Sequence, residues 1–520
     1  MTPLLRGTAA AAMLLAFGVK AQETTVTTTA TSSVTQACST VLTPSYPPPV
    51  VAPGWKAQLI ATGLSRPRSI KFDGNGGLLV IEARKGLTHL AFTDDGDTCL
   101  SVKRNTTLIT DEELNHGLEL SEDGQTIYVS TQENVDRYSY DVNALTVGNR
   151  TRLVTNMTNP GVGHVSRTLL LSKKQPDLLL VSRGSATNLD PLAADESTGV
   201  SQIRAFNISI FNVSNAVDLE RPYSYPTDGL LVGWGLRNSV GVAEHPLTGG
   251  VYSVENSADN IVRLSTDIHE DNPGEELNFH GFLNDTSTLG ANHGYPGCFA
   301  LWNTTDFPSP GDLTVGSQFS LDNNATHNDT DCAQRTTAPR LTFQAHTAPL
   351  DIKFRASGEA AFISFHGSWN RDSPAGYKLS YVSFSADRGE PTEPSDSLTA
   401  VKDVITAPDV SACSGQGGCF RPVGLAFDAT GERLFVSSDA TGEIWVVMRD
   451  GAGGYGNGNG NGGATGTSTG PSTGTGVPGS STSTAAATAG LRYQGVGGAG
   501  WLIVSLTAFM MAAGGLALVG

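Results

Sequence analysis

One hairpin pattern recurs six times along the chain, and this repeat constrains the fold more than any other feature. Each copy has a polar or Arg- and His-containing start, alternating apolar residues, a turn with Gly or Pro, and a second apolar strand. Apolar and β-branched residues at period two around such a turn predict a β-hairpin. The copies begin at Arg66 (RPRSIKFDGNGGLLVIE), Asn115 (NHGLELSEDGQTIYVST), His164 (HVSRTLLLSKKQPDLLLVSR), Arg237 (RNSVGVAEHPLTGGVYSVE), Ala348 (APLDIKFRASGEAAFISFHG) and Arg421 (RPVGLAFDATGERLFVSSD).

Repeats of this kind and spacing predict propeller blades, so the chain is predicted to be all-β, a six-bladed β-propeller with loop insertions. The strand at residues 55–60 is expected to close the ring by pairing with the last blade. Longer intervals follow His164 and Arg237, and residues 269–340 hold two cysteines and four glycosylation sequons, which places insertions there. A β-sandwich, the simpler alternative, would not need six copies of one hairpin.

The two ends of the chain predict export. Arg6, an apolar stretch and the small residues Val19 and Ala21 are typical of a secretory signal cleaved after Ala21. The expected order is a signal peptide (1–21), a Ser/Thr/Pro-rich leader (22–53), the propeller (54–449), a Gly/Ser/Thr-rich stalk (450–490) and a GPI-attachment signal (491–520) that is removed. A tail-anchored single span is the alternative for the last segment. The chain is therefore expected to be secreted and held at the cell surface or wall, with a GPI anchor as its link to the membrane.

Glycosylation and cysteine content agree with export. Six cysteines in a secreted chain predict disulfides, and although fifteen connectivities are possible, proximity favours Cys38 with Cys99, Cys298 with Cys332 and Cys413 with Cys419. Nine Asn-x-Ser/Thr sequons predict a glycosylated surface. They lie at Asn105, Asn149, Asn156, Asn207, Asn212, Asn284, Asn303, Asn324 and Asn328.

The charge balance argues against a nucleic-acid partner. The net charge is −17 at neutral pH, and a strongly acidic protein repels phosphate backbones. Against this background, Arg and His at the start of the repeats are unusual. The same register in every blade points them at the central axis, where clustered Arg would grip a ligand with several carboxylates. These axial residues are Arg68, His116, His164 with Arg167, Arg237 with Asn238, His346, and Arg421.

Five motifs lie within or next to the repeats. They are GHVSR (163–167), WGLRN (234–238), AHTAPL (345–350), FHGSWNRDSPAGYK (365–378) and RPVGLAFD (421–428). These motifs resemble those of the soluble sugar dehydrogenases that depend on pyrroloquinoline quinone (PQQ), in the fungal pyranose dehydrogenase and L-sorbosone dehydrogenase branch. The resemblance covers residues 54–447, and AHTAPL followed by FHGSWNR is its most specific part.

The resemblance implies a role for each axial residue. His164 would be the general base that takes the hydroxyl proton of a sugar as hydride moves to PQQ, a role that suits an imidazole. The remaining residues would contact the cofactor or line its pocket. Arg237 and Asn238 would bind PQQ oxygens, and Arg421 and Arg371 would bind its carboxylates. Arg68, His116 and Arg167 would contact further parts of the pocket, and His346 and His366 would line its mouth. Trp369 would stack on the cofactor or the sugar, or be structural.

The resemblance also implies a calcium ion and an electron acceptor. The Ser257 and Ala258 carbonyls would be the calcium ligands, although bacterial relatives carry Gly-Pro there. The acidic run at 269–278 is a second candidate, since calcium prefers oxygen ligands. Electrons would leave to an external acceptor, such as a haem b cytochrome domain or a copper oxidase on another chain. Two other functions stay open: a calcium-dependent lactonase and a non-catalytic, glycan-binding wall propeller.

Overall fold

The computed structural model describes residues 38–161, 163–209, 221–413 and 418–451. The predicted signal peptide, the predicted GPI signal, nearly all of the predicted stalk and the sequon at Asn212 lie outside these residues. The described residues form six sheets of four to six strands, which confirms the all-β, six-bladed propeller. No helix among the described residues is long and apolar enough to cross a membrane.

Each blade has an antiparallel core of three or four strands that run in sequence order from the axis outwards, and four blades carry an additional outer strand from elsewhere in the chain. Blade 1 consists of Pro67–Phe72, Leu78–Glu82, Gly86–Asp94 and Leu100–Thr110. Blade 2 consists of Leu118–Leu120, Thr126–Ser130, Val135–Asp141, Thr146–Thr155 and a parallel edge strand, Tyr223–Ser224. Blade 3 consists of Leu169–Leu171, Leu178–Arg183, Gln202–Asn207, Leu230–Trp234 and a parallel edge strand, Ala291–Asn292.

Blades 4 to 6 follow the same plan, with two blades completed by strands from the N-terminal side. Blade 4 consists of Ser239–Glu244, Gly250–Glu255, Glu275–Phe282 and Leu341–Phe343. Blade 5 consists of Pro349–Phe354, Ala360–Phe365, Lys378–Ser385, Val401–Thr406 and Val50–Val51, with Glu390–Pro391 beside the third strand. Blade 6 consists of Pro422–Phe427, Arg433–Ser438, Glu443–Arg449 and Trp55–Ala61.

Short elements decorate the connections between strands. Two ribbons pair Val262–Arg263 with Thr266–Asp267 and Cys298–Ala300 with Gln318–Ser320. The helices are one-turn or two-turn pieces. Within the described residues they are Tyr225–Asp228, Asp329–Arg335 and the 3-10 turns Pro191–Ala194, Glu196–Thr198, Thr286–Thr288 and Val410–Ala412.

The N-terminal segment closes the ring. Trp55–Ala61 pairs with Glu443–Arg449, as predicted, so the last blade contains strands from both ends of the propeller. Val50–Val51, within the predicted leader, pairs with the outer strand of blade 5, and the disulfide between Cys38 and Cys99 ties the segment to blade 1. The segment therefore spans the joints between blades 5, 6 and 1.

The other two disulfides also join the pairs that proximity favoured. Cys298 and Cys332 join two parts of the insertion between the third and fourth strands of blade 4. Cys413 and Cys419 close a small loop before blade 6. His327 lies beside the sulfurs of Cys298 and Cys332, but a disulfide has no thiolate to offer a metal.

The hydrophobic core is divided into one cluster at each joint between neighbouring blades. Leu78 and Val80 face blade 6, whereas Leu79 on the same strand faces blade 2. Successive side chains of a strand point to opposite faces of the sheet. Both faces of each blade are buried, and this explains why the second strands read as continuous apolar runs.

Serines on the second strands of blades 2, 5 and 6 connect each of these blades to the next one. Ser437 Oγ accepts the Gly424 N–H (2.8 Å) and donates to the Arg68 carbonyl of blade 1 (2.7 Å). Ser130 makes the same connection from Gly117 to the Arg167 carbonyl. A Cβ at Gly424 would lie 2.3 Å from the Arg68 carbonyl oxygen, so glycine is required for this close approach.

Candidate active site

Most residues predicted to face the axis lie at or just before the N-terminal ends of the innermost strands, at one end of the ring. Arg68 donates from Nε to Nδ1 of His116 (3.3 Å) and from Nη1 to the carboxylate of Asp439 (2.7 Å). Asp439 also accepts from Nε2 of His366 (2.7 Å), and Nδ1 of His366 accepts from Arg421 (2.9 Å). One hydrogen-bonded chain thus joins side chains from blades 1, 2, 5 and 6.

The half of the site formed by this hydrogen-bonded chain, from blades 1, 2, 5 and 6, carries an excess of positive charge. Burial, reinforced by the Arg68 charge, lowers the pKa of His116 well below its ordinary value, and burial also lowers the pKa of His366. Burial alone would raise the pKa of Asp439, but His366 and Arg68 hold that pKa well below its ordinary value. Two guanidinium groups, Arg68 and Arg421, therefore face a single carboxylate while both imidazoles are neutral.

Blades 3, 4 and 5 supply the other half of the site. The buried guanidinium of Arg237 donates to Asp259 Oδ2 (2.8 Å) and to Asn188 Oδ1 (2.9 Å). The second oxygen of Asp259 lies 3.4 Å from Nδ1 of His346. Burial alone would lower the pKa of His346, but the hydrogen bond to Asp259 and the nearby carboxyl of Glu275 raise it.

His164 is fixed in one tautomer. Its Nδ1 lies 3.0 Å from the carbonyl oxygen of Ser185 and 3.0 Å from the Ser185 hydroxyl. That hydroxyl donates its own proton to the Thr187 carbonyl (2.7 Å) and so acts as an acceptor towards the imidazole. Since both neighbours accept, Nδ1 carries the proton and Nε2 keeps a free lone pair.

The surroundings of His164 also keep its ring neutral. Burial, followed by the charge of Arg237, lowers its pKa to about 3. Asn238 lies close by, since a Cβ on Gly184 would meet both Asn238 Oδ1 and the His164 side chain. A neutral imidazole with a free Nε2 can accept a proton at any pH well above 3.

Arg167 lies beneath His164 and does not face the open site. Its side chain is fully buried, and its guanidinium donates to the carbonyls of His164 (2.8 Å), Ser166 (2.9 Å) and Met157 (2.7 Å). The residue shares the axial register, but its guanidinium donates to main-chain carbonyls among the described residues. We therefore place Arg167 as a positioning residue for His164 rather than as a cofactor contact.

Arg371 and Trp369 lie on the loop that follows blade 5's second strand. Arg371 donates to the Glu270 and Ser373 carbonyls and pairs with Asp271, so it is tied to the acidic run that was the second calcium candidate. Trp369 is 66% exposed and is not a buried structural tryptophan. The hydroxyl of Tyr377 donates to the Ser368 carbonyl (2.6 Å), which pins the loop next to Trp369.

The segment at 257–258 can accept a hard cation. Neither the Ser257 carbonyl nor the buried Ala258 carbonyl accepts a hydrogen bond from any residue in the described ranges. Both oxygens are therefore available as ligands, the type that calcium prefers. Glu275 holds the segment in place by accepting the Ser257 N–H (2.7 Å) and the Ala348 N–H (3.1 Å).

The arrangement fits a planar quinone that carries several carboxylates. Arg68, Arg237 and Arg421 lie on three blades near the starts of the innermost strands, and guanidinium groups bind carboxylates as paired donors. The carboxylates that face these guanidinium groups, Asp259 and Asp439, are each bound by an arginine. The described residues at this end of the axis therefore differ from the ring of Asp, Glu and Asn expected of a calcium-dependent lactonase.

Sequence reasoning missed the carboxylates that hold the axial cations. Asp439 directly follows the second strand of blade 6, and Asp259 lies in the ENSADN segment that was considered only for its carbonyls. Ser185 sets the His164 tautomer through its main-chain carbonyl as well as through its hydroxyl. An acidic residue at the end of a blade's second strand was the available signal for Asp439.

Comparisons with known proteins identify the family of this chain. Residues 49–450 match the TrAA12-like family. A PQQ-dependent sugar dehydrogenase of Hypocrea jecorina (strain QM6a) is 50% identical over 82% of this chain and 95% of its own length. The calcium structure of a Trichoderma reesei family AA12 enzyme has 51% identity and a TM-score of 0.76, covering 80% of this chain and 100% of that one.

A second solved structure carries the cofactor. The holo form of the pyranose dehydrogenase PQQ domain from Coprinopsis cinerea is 34% identical, with a TM-score of 0.72, and the match covers 79% of this chain and 99% of that one. The family match over most of the propeller and the identity to the Hypocrea enzyme lead to one conclusion. This chain belongs to the TrAA12-like family of PQQ-dependent sugar dehydrogenases, which are oxidoreductases.

Proposed function

We propose that this chain oxidises a sugar, a pyranose or a sorbosone-like aldose, at the axial site, with His164 as the general base. The single observation that carries this proposal is the fixed tautomer of His164, whose Nδ1 faces two acceptors on Ser185 and whose Nε2 is free. The names of the Hypocrea and Coprinopsis proteins support the cofactor and the substrate class.

PQQ would be held by the cation excess around the axis. Arg421 and Arg68 would bind carboxylates at one side, and Arg237 with Asn238 would bind quinone oxygens at the other. When bound, PQQ supplies the acceptor for the hydride that leaves the sugar carbon. Asp439 and Asp259 orient the guanidinium groups, so that little side-chain freedom is lost when the cofactor binds.

His164 would take the hydroxyl proton at Nε2. Departure of hydride leaves a developing carbonyl, and the hydroxyl proton must leave with it. The same Arg237 charge that keeps the ring neutral disfavours the imidazolium that forms, so the proton passes readily to water after turnover. Arg167 holds the His164 carbonyl and thereby fixes the base relative to the axis.

Calcium would bind at the Ser257 and Ala258 carbonyls. Their lack of described hydrogen-bond donors and the calcium structure of the Trichoderma enzyme support this assignment. Glu275 lies behind the loop and fixes it by accepting the Ser257 N–H, and burial raises the pKa of its carboxyl to about 7. Electrons would then leave the cofactor for an external acceptor, either a protein with haem b or copper, or a small molecule.

We also propose that the enzyme works outside the cell on a GPI anchor. Three disulfides and the predicted sequons on blades 1 to 4 and the insertion support an extracellular location. Phosphatidylinositol-specific phospholipase C is expected to release the protein from cells that express it. Retention on the membrane after lipase treatment, with the C-terminal tail still detected by mass spectrometry, would contradict the anchor.

The experiment for the enzymatic proposal uses the purified propeller. Adding PQQ and calcium is expected to give a bound-cofactor spectrum, and adding a panel of aldoses is expected to bleach the quinone band and reduce a dye. A protein that binds PQQ but bleaches with no sugar would be a non-catalytic propeller. One that does not bind PQQ would contradict the proposal altogether.

A further inference from the structure

A second cavity lies on the axis, towards the other end of the ring from the candidate active site. It has a volume of about 470 Å³, within the range of sites that bind small molecules. Its walls are the C-terminal parts of the innermost strands and the turns that follow them. Among its lining residues are Phe72, Glu119, Leu171, Glu244, Phe354 and Phe427.

The inner end of this cavity touches the candidate active site. His116 lines the cavity and also accepts the Arg68 hydrogen bond at the proposed cofactor pocket. His116 is 2% exposed, so it separates the two spaces. A molecule in the cavity is therefore one side chain away from residues that would hold the cofactor.

The lining combines aromatic walls with ammonium donors. Phe72, Phe354 and Phe427 are half-buried and present ring surface to the cavity. Lys353 Nζ lies 3.2 Å from the Asp351 carboxylate, and Lys71 pairs with Glu119. With three lysines and four carboxylates among the lining residues, the charges on the wall nearly balance, which disfavours a highly charged ligand. Aromatic walls favour a flat ring, and lysine ammonium groups can donate to its oxygens.

We propose that this cavity binds a small planar quinone that serves as electron acceptor, entering from the face opposite the sugar. The proposal rests on the proposed function, because it takes the reduced cofactor as the donor. The reduced cofactor loses two electrons and two protons and becomes the quinone again. The bound quinone gains the two electrons and two protons and leaves as hydroquinone. Electron transfer slows steeply with distance, so a site behind His116 suits this role.

The arrangement has a kinetic consequence. Sugar and acceptor would use separate openings, so high sugar concentrations would not exclude the quinone. A single shared opening would instead make sugar a competitive inhibitor of the acceptor. The two openings also allow one to be blocked while the other stays free.

Two variants at the outer end of the cavity give a matched test. Ala356 is exposed and lines the cavity, whereas its exposed neighbour Ser357 does not. Ala356→Trp should fill the opening, and Ser357→Trp adds the same bulk beside it. Ala429→Trp, on the turn after blade 6's innermost strand, blocks the opening from another side and serves if Ala356→Trp does not fold.

Duroquinone is a suitable probe because its methyl groups prevent addition of lysine to the ring. Calorimetry on the cofactor-free protein is expected to detect binding that Ala356→Trp weakens at least tenfold and Ser357→Trp leaves unchanged. In the PQQ-loaded enzyme, Ala356→Trp should lower kcat/KM for duroquinone at least tenfold, while bleaching by sugar in a single turnover stays at the wild-type rate. The calorimetric result stands even if the chain proves not to use PQQ. Equal duroquinone affinity in all three proteins, or competition between duroquinone and sugar, would overturn the proposal.

Discussion

The imidazole of His164 lies with Nδ1 3.0 Å from the carbonyl oxygen of Ser185, an atom that can only accept a hydrogen bond. This contact determines which ring nitrogen holds the proton and leaves Nε2 free. Arg237 disfavours the charged form of the same ring. Position, tautomer and charge state thus agree with the role of a proton acceptor, and the predictions below follow from them.

The pH dependence of turnover should reflect the low pKa of His164. Because burial and Arg237 lower that pKa to about 3, the base stays neutral through the mildly acidic range, and sugar-dependent bleaching should persist down to about pH 4. His⁺ has no lone pair at Nε2, so activity should fall only below that range. Stopped-flow bleaching across pH measures this. A single apparent pKa near 6.5, the ordinary value for histidine, would contradict the described environment.

The lowered pKa of His164 should also make the free energy of unfolding depend on pH. The unfolded chain protonates His164 below about pH 6.5, whereas the folded chain resists protonation until about pH 3. The unfolded state therefore binds more protons between these values, and the contribution of His164 to the free energy of unfolding decreases as pH falls. Urea unfolding of wild type and His164→Gln should show a smaller pH dependence in the variant over this window.

Removing Arg421 should weaken PQQ binding. The loss leaves a buried carboxylate of the cofactor partly unpaired, at a cost of about 2–5 kcal/mol, which corresponds to a loss of affinity of about 30-fold or more. Calorimetry with Arg421→Ala measures this. Arg388→Ala is the matched control, since Arg388 is exposed and contacts Ser385 near the outer part of blade 5. Unchanged affinity in Arg421→Ala would place that residue outside the cofactor site.

Calcium should stabilise the protein through the 257–258 segment. A ligand that binds only the folded state adds about 2.7 kcal/mol at a hundred times its Kd, so calcium added after chelation should raise the Tm. Glu275 fixes this segment through the Ser257 and Ala348 N–H groups. Glu275→Gln should therefore reduce the calcium-dependent rise. An identical rise in the variant would indicate that calcium binds elsewhere.

The connection from blade 6 to blade 1 should depend on Ser437. Ser437→Ala removes two buried hydrogen bonds, including one to the Arg68 carbonyl, and should cost about 1–3 kcal/mol of unfolding free energy. The exposed Ser357→Ala is the control and should unfold like wild type. Equal unfolding curves for the two variants would show that the serine connection does not stabilise the ring.

The repeat in the sequence predicted the fold well because each hairpin is a local unit. Period-two patterns and turn residues indicate strands without knowledge of the rest of the chain, and the ring closure by residues 55–61 followed from the same pattern.

Parts of the site were less predictable. Arg167 shares the axial register, yet its guanidinium turns under His164 and donates to the main-chain carbonyls of His164 and Met157. Asp439 binds Arg68 across blades that are distant in sequence, and no local pattern reports such a contact.

The central claim is that His164 accepts the sugar proton, and single-turnover bleaching of PQQ in His164→Gln tests it most directly. Glutamine keeps much of the side-chain volume but cannot act as a base. The variant is expected to bind PQQ and calcium and to unfold like wild type at neutral pH, while sugar-driven bleaching slows by about 10²–10⁴-fold. A folded, PQQ-loaded His164→Gln that bleaches at a rate close to wild type would contradict the account, because the proton would then leave to another group.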